Sequence, residues 1–154
     1  MGENSASSGR HALQVTVALE GDGASIAQAR HLAADFLTRV QAEYGLSVSQ
    51  RAMDLSQLVV SELVTNAVNY APGPVLLDLR ITGDAVEIVV WDGDPVLPVA
   101  RAADVGRVGQ HGLEIVMAVA QGFEAYREPV GKRITARIAH LDDPGAAFPG
   151  QRTL

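Results

Sequence analysis

Residues 61–71, SELVTNAVNYA, set a carboxylate and a carboxamide four residues apart within a segment whose apolar residues recur at helical spacing. Residues four apart on a helix are surface neighbours, so Glu62 and Asn66 address the same small volume. A carboxamide oxygen is a suitable ligand for Mg²⁺, and a carboxylate can take a proton from an attacking hydroxyl. The pair therefore indicates a catalytic or metal-binding site. The alternative is that both side chains lie on a solvated edge of the helix.

Hydrophobic periodicity predicts eight elements around this stretch. A period of two indicates strands and a period near 3.6 indicates helices, while Gly and Pro clusters mark the turns between them. The predicted order is βααββαββ, with strands at residues 13–19, 75–81, 85–91, 123–128 and 132–139 and helices at 24–44, 49–70 and 113–121.

This order predicts the fold class. Hairpin-connected strands grouped apart from helices favour an α+β two-layer sandwich, in which a mixed, mostly antiparallel sheet is covered on one face by three helices. Residues 11–140 form the predicted domain. The aperiodic, Gly-, Ser- and Pro-containing segments at residues 1–10 and 141–154 are predicted tails.

Composition restricts the class of protein. A length of 154 residues with 47% hydrophobic content predicts one domain with one core. A net charge of -6 argues against nucleic acid as a partner, because phosphate backbones are bound by an excess of Lys and Arg. The chain has no cysteine and no long apolar run, so we expect a soluble, cytoplasmic protein that makes no membrane contact.

Two further motifs follow the helix pair. Asp92 comes directly after a predicted strand and is followed by Gly93, so a carboxylate is expected at the sheet edge, where it can accept a hydrogen bond from an amino group. The segment 106–113, GRVGQHGL, opens a helix whose free N–H groups make an anion site. A plain turn and a flexible loop are the respective alternatives. Together with Glu62 and Asn66, the motifs suggest one nucleotide site.

The three motifs resemble those of the GHKL, or Bergerat-fold, ATPases, in the variant found in anti-sigma-factor serine kinases. Residues 62–67, ELVTNA, are similar to the N box, Asp92 matches the first Asp of the D-x-G-x-G box, and residues 109–113 are similar to a G-x-H-G-L box. The resemblance covers roughly residues 13–140. The D-x-G-x-G pattern reads DGDPV here, so neither expected glycine is present.

The resemblance implies a role for each matching residue. Asn66 would coordinate Mg²⁺, Glu62 would be the general base and Asp92 would hold the adenine amino group of ATP. The implied phosphate contacts are Gly109, His111 and Gly112, and the wider nucleotide-binding set adds Asn69, Gly93, Leu113 and Lys132.

The implied function is that of an ATP-dependent serine kinase. Such a protein phosphorylates a STAS-type anti-sigma antagonist, sequesters a sigma factor, or does both, and pairing of two copies is also implied. The alternative is a catalytically silent module whose partner affinity is gated by nucleotide. A scaffold of the same fold that binds no nucleotide is a third interpretation.

Overall fold

The predicted order of elements is confirmed by the computed structural model of the protein, which describes residues 13–71, 73–94 and 110–141. The predicted tails, apart from Leu141, lie outside the described residues. The elements are β1 (Gln14–Leu19), α1 (Ala24–Tyr44), α2 (Gln50–Tyr70), β2 (Val75–Thr82), β3 (Ala85–Asp92), α3 (Gln110–Val119), β4 (Gly122–Arg127) and β5 (Lys132–Ala139).

Local signals fix the helix boundaries. Helix α1 ends at Gly45, which adopts a φ of 67° and donates its N–H to the Gln41 carbonyl at 3.2 Å. The Ser49 hydroxyl caps α2 by accepting the Ala52 N–H at 3.0 Å. Helix α3 begins at Gln110, three residues before the predicted start at Leu113. Because glycine is a poor helix former, Gly112 weakens the helical pattern of this first turn in the sequence.

The five strands form one sheet in the order β1-β2-β3-β5-β4, and every neighbouring pair among them is antiparallel. The α+β sandwich is therefore confirmed. Side chains of alternate residues face the helices, and one cross-strand row of this face consists of Val17, Leu77, Val90, Ile134 and Ala125.

The helices bury their apolar stripes on that face. Phe36 and Leu37 of α1 and Val59 and Leu63 of α2 have 2% or less of their surface exposed, and they belong to the same core cluster as the strand residues. Among the described residues, no helix has both the length and the apolar character that a membrane span requires.

The opposite face of the sheet carries a network of charged side chains. Asp78, which is 1% exposed, accepts a hydrogen bond from Arg80 Nε at 2.8 Å. Arg137 contacts Glu87 at 3.1 Å and Glu124 at 2.9 Å. Its hydrogen bond holds the pKa of Glu124 below the ordinary value, and the same contact raises the pKa of Arg137. Alternating charges thus cover a face on which no described helix packs.

His140 joins two loops at the end of the sheet remote from Asp92. Its ring nitrogens lie 3.1 Å from the Ser47 carbonyl oxygen and 3.2 Å from the Gly83 carbonyl oxygen. Its own carbonyl accepts the Ser49 N–H at 2.8 Å. The β2–β3 turn and the α1–α2 connection are therefore joined at this end, and Asp92 lies at the other.

Candidate functional site

Helix α2 positions Glu62 and Asn66 on successive turns. Asn66 is only 1% exposed, yet neither its amide oxygen nor its amide nitrogen has a hydrogen-bond partner among the described residues. Glu62 is half-buried. Burying an amide without a hydrogen bond costs free energy, and native proteins rarely leave such a group without a purpose. The Asn66 amide is therefore the strongest indication of a ligand site in the described structure.

Gly112 brings the first turn of α3 against Glu62. A Cβ built on Gly112 would overlap the Glu62 Oε1 atom and would lie 3.0 Å from Cδ. Every residue type except glycine would therefore push the carboxylate or the helix away. The first N–H groups of a helix have no intrahelical partners and carry the positive end of its dipole. This contact places the N-terminus of α3, a position that favours anions, beside Glu62.

Leu113 anchors that helix terminus. Its side chain is 2% exposed and belongs to the hydrophobic core, so any contact it makes with a nucleotide is through its backbone. Gln110 and His111 lie in the first turn of α3, but their side chains are outside the described structure. Gly109 is outside the described residues altogether.

Asp92 and Lys132 form a buried ion pair at the end of the sheet. They are cross-strand partners on the helix-facing side of β3 and β5. The Lys132 Nζ atom lies 3.0 Å from Oδ1 and 2.8 Å from Oδ2 of Asp92, and the Lys132 residue is 0% exposed. Asp94 donates its backbone N–H to Asp92 Oδ1 at 2.9 Å. The Asp92 carboxylate is therefore held in a fixed orientation.

A glycine of the β4–β5 turn also contributes to this site. Gly131 has a φ of 85°, and a Cβ built on it would overlap the Asp92 carbonyl oxygen. By contrast, a Cβ on Gly93 meets no atom within 4 Å. The close backbone approach at Asp92 is thus made by the β4–β5 turn. Its position directly before Lys132 is the sequence signal that could have found it.

The remaining predicted residue, Asn69, lies in the last turn of α2 with its side chain exposed. An apolar hollow of about 360 Å³ also adjoins Asp92 and Gly93. Leu76 and Trp91 line it from the face of the sheet that points away from the helices. The hollow is therefore separate from the volume between Glu62 and Asn66.

The class of protein follows from this arrangement. A two-layer α/β sandwich that carries a buried amide without a described partner, two carboxylates and a helix N-terminus against one of them is typical of nucleotide-binding domains. The model of the histidine kinase-like ATPase domain matches residues 19–138, and the chain belongs to that family. Membership confirms the resemblance at the level of the GHKL fold and implies an ATP site. Comparison with curated proteins returned no match.

Proposed function

We propose that this chain is an ATP-dependent protein serine kinase of the anti-sigma-factor type. Its substrate would be a seryl hydroxyl of a STAS-type antagonist, and its second partner would be a sigma factor. The observation that carries the proposal is the buried Asn66 amide, which lacks a described partner one helical turn from Glu62. Glu62 favours catalysis over nucleotide binding alone, because its carboxylate can accept a proton from a seryl hydroxyl.

The site fits MgATP. The Asn66 amide oxygen is a hard-cation ligand, and the N–H groups of the first turn of α3, which lies against Glu62, are suited to an anionic group. Asp92 presents a carboxylate suited to an amino group of a base. When bound, MgATP supplies the phosphoryl group and the cation that neutralises its charge.

Glu62 would act as the general base. In the transfer, the seryl oxygen forms a bond to the γ-phosphorus, the bond between that phosphorus and its bridging oxygen breaks, and ADP leaves. The proton of the seryl hydroxyl passes to the Glu62 carboxylate. The contact between Glu62 and Gly112 keeps this carboxylate close to the helix terminus that would face the phosphates.

Nucleotide binding is tested first, by calorimetric titration of the chain with MgATP. We expect heat of binding from the wild type and none from Asn66→Ala. Asp54→Asn is the matched control for a change on α2, because Asp54 is exposed on the same helix. Absence of binding by the wild type would refute the proposal.

Phosphotransfer is tested with labelled ATP and the STAS proteins of the same organism. We expect Glu62→Gln to retain MgATP binding and to lose transfer, because the amide keeps the shape of the side chain and removes the base. Equal transfer by wild type and Glu62→Gln would show that Glu62 is not the base. Binding without transfer by the wild type would instead support the alternative, a nucleotide-gated module.

A further inference from the structure

Helix α2 runs toward the end of the sheet that holds Asp92. It begins at the remote end, where its cap residue donates its N–H to the His140 carbonyl, and it ends just before β2, whose first residues lie beside the last residues of β3. A helix rises 1.5 Å per residue, so Asn66 lies about 6 Å nearer to the Asp92 end than Glu62 does. Leu58, one turn before Glu62 on the same face, lies about 6 Å farther from it.

Helix α3 runs in the opposite direction. Its first turn lies against Glu62 at Gly112. The helix then leads away from Asp92, because β4, which follows it, begins far from that end of the sheet and returns to it. Ile115 lies about 60° around the helix axis from Gly112 and about 4.5 Å farther along it. Leu58 of α2 and Ile115 of α3 therefore both border the groove between the two helices, on the side of Glu62 that points away from Asp92.

Leu58 and Ile115 give this groove an apolar surface, which we call the α2–α3 apolar strip. Ile115 is 42% exposed, and Leu58 is half-buried and is not part of the buried core cluster. Single exposed apolar side chains are common on protein surfaces, so their exposure alone indicates nothing. The informative observation is their position, since each lies within about one helical turn of the contact between Glu62 and Gly112.

The geometry of phosphoryl transfer gives the strip a function. In the proposed function the base of ATP lies at Asp92 and the cation at Asn66, so the leaving ADP occupies the Asp92 side of Glu62. The attacking and leaving oxygens of a phosphoryl transfer lie roughly in line, on opposite sides of the phosphorus. The seryl oxygen therefore approaches from the side of Glu62 that points away from Asp92, which is the side on which the strip lies.

We propose that the α2–α3 apolar strip is a substrate-recognition surface, which binds an apolar side chain of the substrate protein close to its target serine. The inference rests on the proposed function. Leu58 lies about 6 Å from Glu62 along the helix axis, a distance that about two residues of extended chain span. The bound side chain therefore belongs to a residue about two positions from the serine. An apolar side chain fits because its contact with Leu58 and Ile115 removes apolar surface from water on both partners.

The test is steady-state transfer from labelled ATP to the STAS protein that serves as substrate. Leu58→Ala and Ile115→Ala should each raise the KM for that protein about threefold to tenfold, because each removes a partly exposed apolar side chain that the substrate would cover. The kcat and the Kd of MgATP should stay unchanged. Ile115→Leu, which keeps the apolar surface, should retain the wild-type KM.

Met117→Ala is the matched control. Met117 is 40% exposed on the same helix, almost as much as Ile115. It lies about 140° around the helix axis from Gly112, in the direction opposite to Ile115, so it does not border the groove between α2 and α3. The KM of Met117→Ala should therefore equal that of the wild type.

An unchanged KM in both alanine variants, or an equal rise in Met117→Ala, would overturn the inference and leave the proposed function intact. Weaker MgATP binding by Ile115→Ala would also overturn it, because the strip would then belong to the nucleotide site. If Leu58→Ala fails to fold, Ile115→Ala decides the matter. Sedimentation velocity tests the other occupant, since loss of a dimer in Ile115→Ala would show that the strip binds a second copy of the chain and would overturn the inference. Transfer by the wild type to none of the STAS proteins would refute the proposed function, and the inference with it.

Discussion

Replacing Asn66 by leucine should stabilise the ligand-free protein and abolish its response to nucleotide. The two side chains have the same branched shape, but leucine has methyl groups where Asn66 has an amide oxygen and an amide nitrogen. Both polar atoms are buried and lack a hydrogen-bond partner among the described residues. Site residues that bind ligands often reduce stability in this way.

The magnitude follows from the burial of Asn66. Because the residue is 1% exposed, the full desolvation penalty applies, and mutational data put that penalty at about 1–3 kcal/mol for an unpaired amide. For a chain of this length, each kcal/mol corresponds to a Tm shift of about 2–4 °C. We therefore expect Asn66→Leu to raise the Tm by about 2–12 °C.

Thermal unfolding with and without MgATP measures both effects. At one hundred times its Kd, a ligand stabilises the folded state by about 2.7 kcal/mol, and Asn66→Leu should gain none of this. Ser56→Ala is the matched control, because the Ser56 hydroxyl is also buried on α2 without a described partner. It should raise the Tm and retain the response to MgATP.

One result would refute the reasoning about Asn66. If ligand-free Asn66→Leu unfolds at a lower temperature than the wild type, the amide is not a destabilising group and the indication of a ligand site is lost. A rise in Tm with unchanged stabilisation by MgATP would support the claim that the amide is unsatisfied and refute the claim that it contacts the nucleotide. In that case the amide is unsatisfied, but it does not contact the nucleotide.

Three further predictions concern other parts of the molecule. Gly112→Ala should slow phosphotransfer to the STAS substrate about tenfold or more, because the added Cβ displaces the Glu62 carboxylate, the proposed base. Arg137→Gln should raise the pKa of Glu124 toward its ordinary value of 4.5 in an NMR titration. Since the folded-state pKa is lowered, the stability contributed by Glu124 is present above pH 4.5 and is lost as the pH falls through the folded value. His140→Ala should lower stability by about 1 kcal/mol in urea unfolding, because the buried ring loses its contacts with the Ser47 and Gly83 carbonyl oxygens.

Each of these three changes has a control elsewhere in the chain. Gly23→Ala adds a Cβ that meets no atom within 4 Å, so it should leave phosphotransfer unchanged. Arg39→Gln and His31→Ala alter exposed residues of α1 and should leave the Glu124 pKa and the stability within experimental error. An effect of a control as large as that of its test variant would contradict the corresponding prediction.

The fold could be predicted from the sequence because its local signals agree with one another. The segments rich in β-forming residues coincide with β2, β3 and β5, and Gly45 and Ser49 mark helix ends that the structure confirms. The Glu62–Asn66 pair could also be predicted, since a helix fixes which side chains four residues apart share a face. These features depend on short-range geometry.

The environment of Lys132 could not be predicted with the same ease. Beside Arg133, it has the composition of a solvated strand end, and its partner Asp92 lies forty residues earlier in the chain. The pairing depends on the register between β3 and β5, which no local pattern specifies. A partial signal existed, because Lys132 has the same parity as Ile134, Ala136 and Ile138, all of which are buried.

The register between β3 and β5 also places a glycine beside Asp92, although the glycines of the D-x-G-x-G pattern are absent. In that pattern the glycines follow the Asp, whereas this chain has Asp94 and Val96 at those positions. Here the close backbone approach to Asp92 comes from Gly131, across the β3–β5 pairing. Because Gly131 directly precedes Lys132, the β4–β5 turn places two features beside Asp92: a glycine whose backbone can approach closely, and the ammonium group that orients the Asp92 carboxylate. A substitution of Gly131 or Lys132 should therefore shift the Asp92 carboxylate more than it shifts the side chains of Glu62 and Asn66.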